Sequence, residues 1–428
     1  MTASATSWHP FLRSVAAVAS GSAVAQALTL ALAPVLARLY DPTDFGALGA
    51  FAAIVSTIGV VACLRLDLAI VVPERSEDAR TVALAALVTA VATASVAATL
   101  VVVVHVLGVG SGTSIGALLP LVPIAVLASG TFQVGTQWLA RVNRFGVVAR
   151  SHVIRSIVAN GLPIMMFPLG IGALALASGT VLGGVAAALY AATRGFTRLF
   201  RRLPTVSRVA TALRDTYGSY SHFALYGSPQ ALLNALNQAV PIAVLGIGFD
   251  VATIGYYTLS HRVLKAPVNL LGQSIRQVLY PRLARSFQTG GTARMAVLMT
   301  MWMSAMTIVP VIAVGAFGPR VFAFVFGEPW STAGTFASLS ALWVASTFVN
   351  VPAVSLIPLL GMQRLHSAFE MVYIIARVVA LLAGVALGSA VIAIGASAAV
   401  GFAFNVWLIV VVIRRTAAHD KRTHDAPA

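Results

Sequence analysis

The sequence predicts an all-α, polytopic membrane protein: about twelve transmembrane helices in two six-helix, pseudo-symmetric lobes around a central cavity. Three observations predict it. Of 428 residues, 59% are hydrophobic and 9% charged, where soluble domains carry about 25% charged residues. Apolar runs long enough to span about 30 Å of hydrocarbon recur along the chain with short connections between them. Basic residues gather in those connections, and one basic connection divides the chain in two.

The apolar segments are expected at 11–37, 44–72, 79–107, 116–140, 146–168, 172–195, 219–247, 251–285, 292–317, 330–360, 366–388 and 390–414. In the first, Ala23-Val24-Ala25 mimics a signal-peptide cleavage site, yet the apolar run continues from Val15 to Ala37. An uncleaved first helix is expected. The connection from Gly195 to Gly218 carries Arg198, Arg201, Arg202, Arg208 and Arg214. It sets the expected organisation: an N-terminal lobe 1–197, a basic linker 198–218, a C-terminal lobe 219–415 and a tail 416–428.

Orientation follows from where the basic residues lie. Connections after the odd-numbered segments hold few or none, such as Arg38 and Arg320. Those after even-numbered segments hold Arg141, Arg144 and Arg150, the central run, Arg282, Arg285 and Arg294, and Arg364. A multi-pass protein of the bacterial cytoplasmic (inner) membrane with both termini in the cytoplasm is expected.

The halves read as repeats. Asp41-Pro-Thr-Asp-Phe-Gly46 before the second segment matches Asp250-Val-Ala-Thr-Ile-Gly255 before the eighth, with the same Asp-to-Gly spacing. Ala79-Arg80 and Ala293-Arg294 open the third and ninth. Six helices per repeat gives both halves one orientation, with a substrate path at their interface.

Several functions are excluded. The net charge of +16 raises nucleic acid, but the charges sit between apolar segments, so membrane topology accounts for them. There is no GxxxxGK[ST] motif. Gly108, Gly110, Gly112 and Gly116 form an uncharged connector. Cys63 is the one cysteine, which rules out an intramolecular disulfide or a cysteine metal cluster. No acid pair or Ser/His/Asp set recurs at catalytic spacing, so no enzyme, metal or cofactor is expected.

The chemistry concentrates in Tyr256–Arg285. His261, Lys265, Asn269, Gln273 and Arg276 share one helical face, with Arg262 beside it. A cationic stripe is costly in lipid and is expected to face protein or a hydrated cavity for an anionic molecule. At 1.5 Å per residue Arg262 lies about 16 Å deep, Lys265 about 21 Å, Arg377 about 15 Å and Arg155 about 10 Å. Arg65 and Arg276 lie near the cytoplasmic ends, where snorkelling is the alternative. Asn234, Asn237 and Gln238 share a face of the seventh segment, and Gln26 sits in the first. Helix–helix hydrogen bonding is the alternative for these amides. The expected substrate-binding set is therefore Arg262, Lys265, Arg377, Arg155, Asn269, Gln273, Asn234, Asn237, Gln238, Gln26, Arg65 and Arg276. Midplane carboxylates are missing, with only Asp67 and Glu370 near the cytoplasmic side, and this favours an acidic or phosphate-bearing substrate.

The stretch Ala33-Pro-Val-Leu-Ala-Arg-Leu-Tyr-Asp-Pro-Thr-Asp-Phe-Gly46, with Leu64-Arg-Leu-Asp-Leu-Ala-Ile-Val-Val-Pro73 and Glu77-Asp-Ala79, resembles the polysaccharide-synthesis (Wzx-like) flippases of the multidrug/oligosaccharidyl-lipid/polysaccharide exporter superfamily. The close match covers about the first 80 residues. The resemblance implies two lobes around a V-shaped cavity. It also implies alternating-access export of an undecaprenyl-pyrophosphate-linked oligosaccharide for O-antigen, capsule or exopolysaccharide. Membrane lipid is then a partner, and the polysaccharide polymerase and chain-length machinery are candidate partners. The alternatives are a drug or cation antiporter of the same superfamily, which predicts an acid in the first or seventh helix, and a membrane glycosyltransferase or polymerase, which predicts long extracytoplasmic loops.

Overall fold

The computed structural model describes residues 8–110, 112–199 and 217–425, and among them there is no β-strand. Arg201, Arg202, Arg208 and Arg214 of the basic connection lie outside these residues. Ten helices among the described residues are long and apolar enough to cross a membrane. The second and eighth expected spans are outside that set, one because it is broken and the other because it is polar. The chain forms two compact units, Met1–Ala239 and Val240–Ala428.

The N-terminal unit contains α1 (Trp8–Leu39), α2 (Pro42–Gly59), α3 (Leu66–Ala69), α4 (Ser76–Val106), α5 (Ser114–Leu118), α6 (Val122–Arg141), α7 (Phe145–Met166) and α8 (Ala173–Leu199). A π-helical turn, Phe223–Gly227, leads into α9 (Ser228–Gly248). The seam between the units falls inside α9. The C-terminal unit continues with α10 (Val251–Thr289), α11 (Thr292–Phe326), α12 (Ser331–Val349), α13 (Val351–Leu356), α14 (Gln363–Ala386) and α15 (Ala390–Asp425).

The repeat seen in sequence is visible as the same cap used twice. Asp41 accepts the Asp44 amide at 2.9 Å at the start of α2, and Asp250 accepts the Thr253 amide at 3.0 Å at the start of α10. Each satisfies an N-terminal donor that the helix leaves orphaned.

Three spans expected as single helices are interrupted. The segment 44–72 stops at Gly59, and Leu64 and Arg65 take left-handed backbone angles, φ 46° and 59°. The carbonyls this break frees are taken by neighbouring side chains. Gln133 donates to Gly59 O at 2.8 Å, Thr93 to Ala62 O at 3.1 Å and Arg141 to Ile70 O at 3.1 Å. In a membrane such replacement is what makes irregular backbone tolerable. The segment 330–360 breaks after Asn350, with Pro352 in the first turn of α13. Proline lacks the amide that would continue the preceding helix. The fourth span is likewise divided, with Pro120 and Pro123 at the joint before α6.

Helix contacts use small and polar residues, as expected where lipid removes the hydrophobic drive to associate. α1 meets α7 so closely at Gly21 that a Cβ there would collide with Ala149. Beside that contact Ser156 donates to Ala25 O at 2.8 Å and Asn160 to Thr29 Oγ1 at 3.2 Å.

Candidate functional site

In the C-terminal unit the polar residues gather around one indole. Trp343 on α12 is nearly buried because α15 offers Gly401 opposite it, where a Cβ would collide with the indole Nε1. Arg377 on α14 is 4% exposed. Its Nε donates to Ser397 Oγ at 2.9 Å and its Nη2 to Tyr257 Oη at 3.2 Å. The guanidinium carbon stands 4.4 Å from the Trp343 ring centroid. On α10, Lys265 Nζ lies 5.4 Å from the same indole ring. Both contacts are of the cation–π kind.

His261 stands one helical turn before Lys265 and packs tilted against the Tyr257 ring, with centroids 3.9 Å apart. Its Nδ1 approaches Tyr257 O at 3.2 Å, while the buried Nε2 has no hydrogen-bond partner among the described residues. The cluster thus carries Lys265 and Arg377 among aromatic rings and hydroxyls. No ion pair to Lys265 is present among the described residues. The acid nearest in the chain to Arg377, Glu370, lies 3.7 Å from His366.

In the N-terminal unit a cavity of about 440 Å³ opens between α2, α6, α7 and α8. Arg155, Gln133, Ser129, Ser56 and Thr180 line it together with Phe51 and Phe132, and no acidic residue does. The Arg155 guanidinium sits over the Phe132 ring at 5.8 Å.

The structure therefore divides the expected site. Lys265 and Arg377 come together around Trp343. Asn269, Gln273 and Arg276, farther along the same face of α10, are exposed, and Arg262 is half-buried. Arg155 belongs to the N-terminal cavity. Gln26 and Asn237 are half-buried, while Asn234 and Gln238 are exposed, with Gln238 donating to Asn234 O at 3.4 Å. Arg65 stands at the N-cap of the short α3. It sits in the broken turn after α2, part-buried, with its Nε lacking an acceptor among the described residues.

Sequence reasoning missed Trp343, Tyr257 and Ser397 as the groups that hold Arg377. It also passed over Phe51 and Phe132 as cavity walls. Nothing in helical spacing marked the aromatic residues.

A family model described as polysaccharide biosynthesis protein matches residues 35–335. A search of curated proteins finds no match. Among solved structures, a lipid II flippase, MurJ, in its inward closed conformation aligns with TM-score 0.69 and 11% identity, over 95% of this chain and 90% of that one. An inward-facing multidrug-resistance MATE transporter of the MOP superfamily aligns with TM-score 0.59 and 15% identity, over 94% of each chain. A MOP-superfamily transporter from Pyrococcus furiosus, described as having a binding pocket of reverse polarity, gives TM-score 0.52 and 15% identity over 96% of each. At these identities the likeness is one of fold.

Proposed function

The chain belongs to the polysaccharide biosynthesis protein family, and from that premise we propose that it is a flippase for an undecaprenyl-pyrophosphate-linked oligosaccharide in the bacterial inner membrane. Its class is that of a multi-pass membrane transporter with a MOP-superfamily fold. One observation supports the substrate most. Lys265 lies within the membrane-embedded cluster around Trp343, and its near neighbours there are rings, hydroxyls and another cation. A cation at that depth costs several kcal/mol when no counter-charge meets it. A pyrophosphate linker supplies oxygens that accept charge-assisted hydrogen bonds from Lys and Arg. The sugar cannot cross hydrocarbon unaided, because each unpaired hydroxyl costs several kcal/mol there, so export needs a polar route and alternating access. The termini are read as cytoplasmic from the basic connections.

The test is complementation of a strain lacking the flippase, with cell-surface polysaccharide as the readout. Lys265→Ala and Arg262→Ala are expected to lose most of it at unchanged protein level. Full surface polysaccharide in both variants would sink the cationic-site assignment. Efflux of a cationic dye from proteoliposomes, with no effect of these variants on polysaccharide, would favour the drug-antiporter reading instead.

A further inference from the structure

The N-terminal cavity has a built polar wall and an apolar floor. Phe51 and Phe132 are buried beneath it, and Ser56 and Arg155 are exposed at its mouth. Arg155 is carried within Phe145–Leu169, a segment long and apolar enough to cross a membrane, and lipid around such a segment offers a guanidinium no acceptor. It cannot shed its charge, and its five donors form a planar fork suited to an oxyanion. Gln133 uses its Nε2 on Gly59 O at 2.8 Å and Ser129 Oγ at 3.2 Å, which directs the amide oxygen away as an acceptor. The Ser56 and Thr180 hydroxyls donate to Ala53 O and Ala177 O, at 3.1 and 2.7 Å. Their oxygens retain acceptor capacity.

These groups fit one kind of ligand. An oxyanion meets Arg155, ring hydroxyls meet the amide and hydroxyl oxygens, and the apolar face of the ring lies on the phenyl rings. A volume of about 440 Å³ falls within the range of small-molecule sites, roughly 300–1,000 Å³. We propose that this cavity is a saccharide subsite that takes a sugar bearing an oxyanion, a carboxylate or a phosphate, held by Arg155. The proposal rests on the polysaccharide-precursor reading and adds a substrate feature to it, an acidic sugar residue. It uses no residue of the Trp343 cluster.

Binding to the purified full-length protein in lipid nanodiscs tests it, measured calorimetrically with four probes: methyl glucuronide, glucose 1-phosphate, methyl glucoside and inorganic phosphate. At least one of the two acidic sugars is expected to bind at least tenfold more tightly than both the neutral sugar and the bare anion, and the stronger of the two identifies the oxyanion. Arg155→Gln is expected to weaken that binding tenfold or more, and Arg155→Lys less, since it keeps the charge without the fork. Gly184 also lines the cavity, and a Cβ there meets only Ala128 Cβ, at 3.7 Å. Gly184→Leu is therefore expected to fill the cavity and abolish binding. Should that variant fail to fold, the Arg155 pair decides the matter alone. Equal binding of methyl glucoside, equal binding of inorganic phosphate, or no effect of Arg155→Gln overturns the subsite. The readout needs no transport, so a negative result removes the subsite alone. Restoration of surface polysaccharide by the unaltered protein in the strain lacking the flippase judges the flippase reading separately.

Discussion

Arg155 and Arg377 are both carried in apolar helices, and their surroundings differ. Arg377 is packed: a serine and a tyrosine accept from it, and an indole covers it. Arg155 borders a hollow and touches one phenyl face. In the first case much of the arginine's hydrogen bonding goes to fixing the C-terminal unit. In the second its fork is directed to whatever fills the cavity. The same residue type in two apolar helices thus divides between structure and binding according to what stands within hydrogen-bond reach.

The largest expected effect comes from truncating both. Arg377→Ala removes the donor to Ser397 and Tyr257 and uncovers Trp343, which should cost about 2–4 kcal/mol. Arg155→Ala removes an exposed group and should change stability by less than about 0.5 kcal/mol while reducing surface polysaccharide. Denaturant unfolding in detergent beside complementation checks this. Equal destabilisation by the two variants would erase the contrast.

Glycines sharpen it at the next level. Gly384 lies against the backbone of Ala393, which an added Cβ would strike, whereas a Cβ at Gly184 meets Ala128 Cβ at an ordinary 3.7 Å. Gly384→Ala should therefore cost about 1–3 kcal/mol, the scale of overpacking. Gly184→Ala should stay within about 0.5 kcal/mol. Thermal melts of the two purified variants decide, and similar melting temperatures would mean that the N-terminal cavity is packed as tightly as the α14–α15 contact.

Where the units match, so should the numbers. Asp41 and Asp250 make the same cap, at 2.9 and 3.0 Å. Replacing either by Ala should cost about 1 kcal/mol. A difference well beyond that between the two would show that one aspartate has a role besides capping.

These contrasts also mark what could be read in the sequence. Apolar runs fix the spans because a helix's length and polarity are local properties, and the paired Asp-to-Gly spacing revealed the repeated cap. The break after Gly59 was hidden, because the groups that take its carbonyls, Thr93, Gln133 and Arg141, come from distant segments. Helical periodicity placed His261, Lys265, Gln273 and Arg276 on one stripe, of which His261 and Lys265 lie against Trp343 and Gln273 and Arg276 are exposed. It had no means of knowing that Trp343 covers only the first half. The cavity was equally invisible, since it is defined by side chains that four helices leave out.

The smallest effects test whether the amide networks are mere helix glue. In the N-terminal unit Asn160 donates to Ser156 O at 2.7 Å and to Thr29 Oγ1 at 3.2 Å. In the C-terminal unit Asn405 accepts from Asn350 at 3.0 Å and donates to Ser346 Oγ at 2.8 Å. Hydrogen bonds between membrane helices average about 0.6 kcal/mol and reach about 1.7. Asn160→Ala should fall near the lower figure, because one of its bonds lies within its own helix. Asn405→Ala should approach the upper one, because it strips both an acceptor from Asn350 and a donor from Ser346 at the joint where α12 gives way to α13. A double-mutant cycle of Asn350→Ala with Asn405→Ala isolates the shared bond. Coupling of about 0.5 kcal/mol or more is expected there, and its absence would mean that the joint is held by Pro352 and packing rather than by the amides.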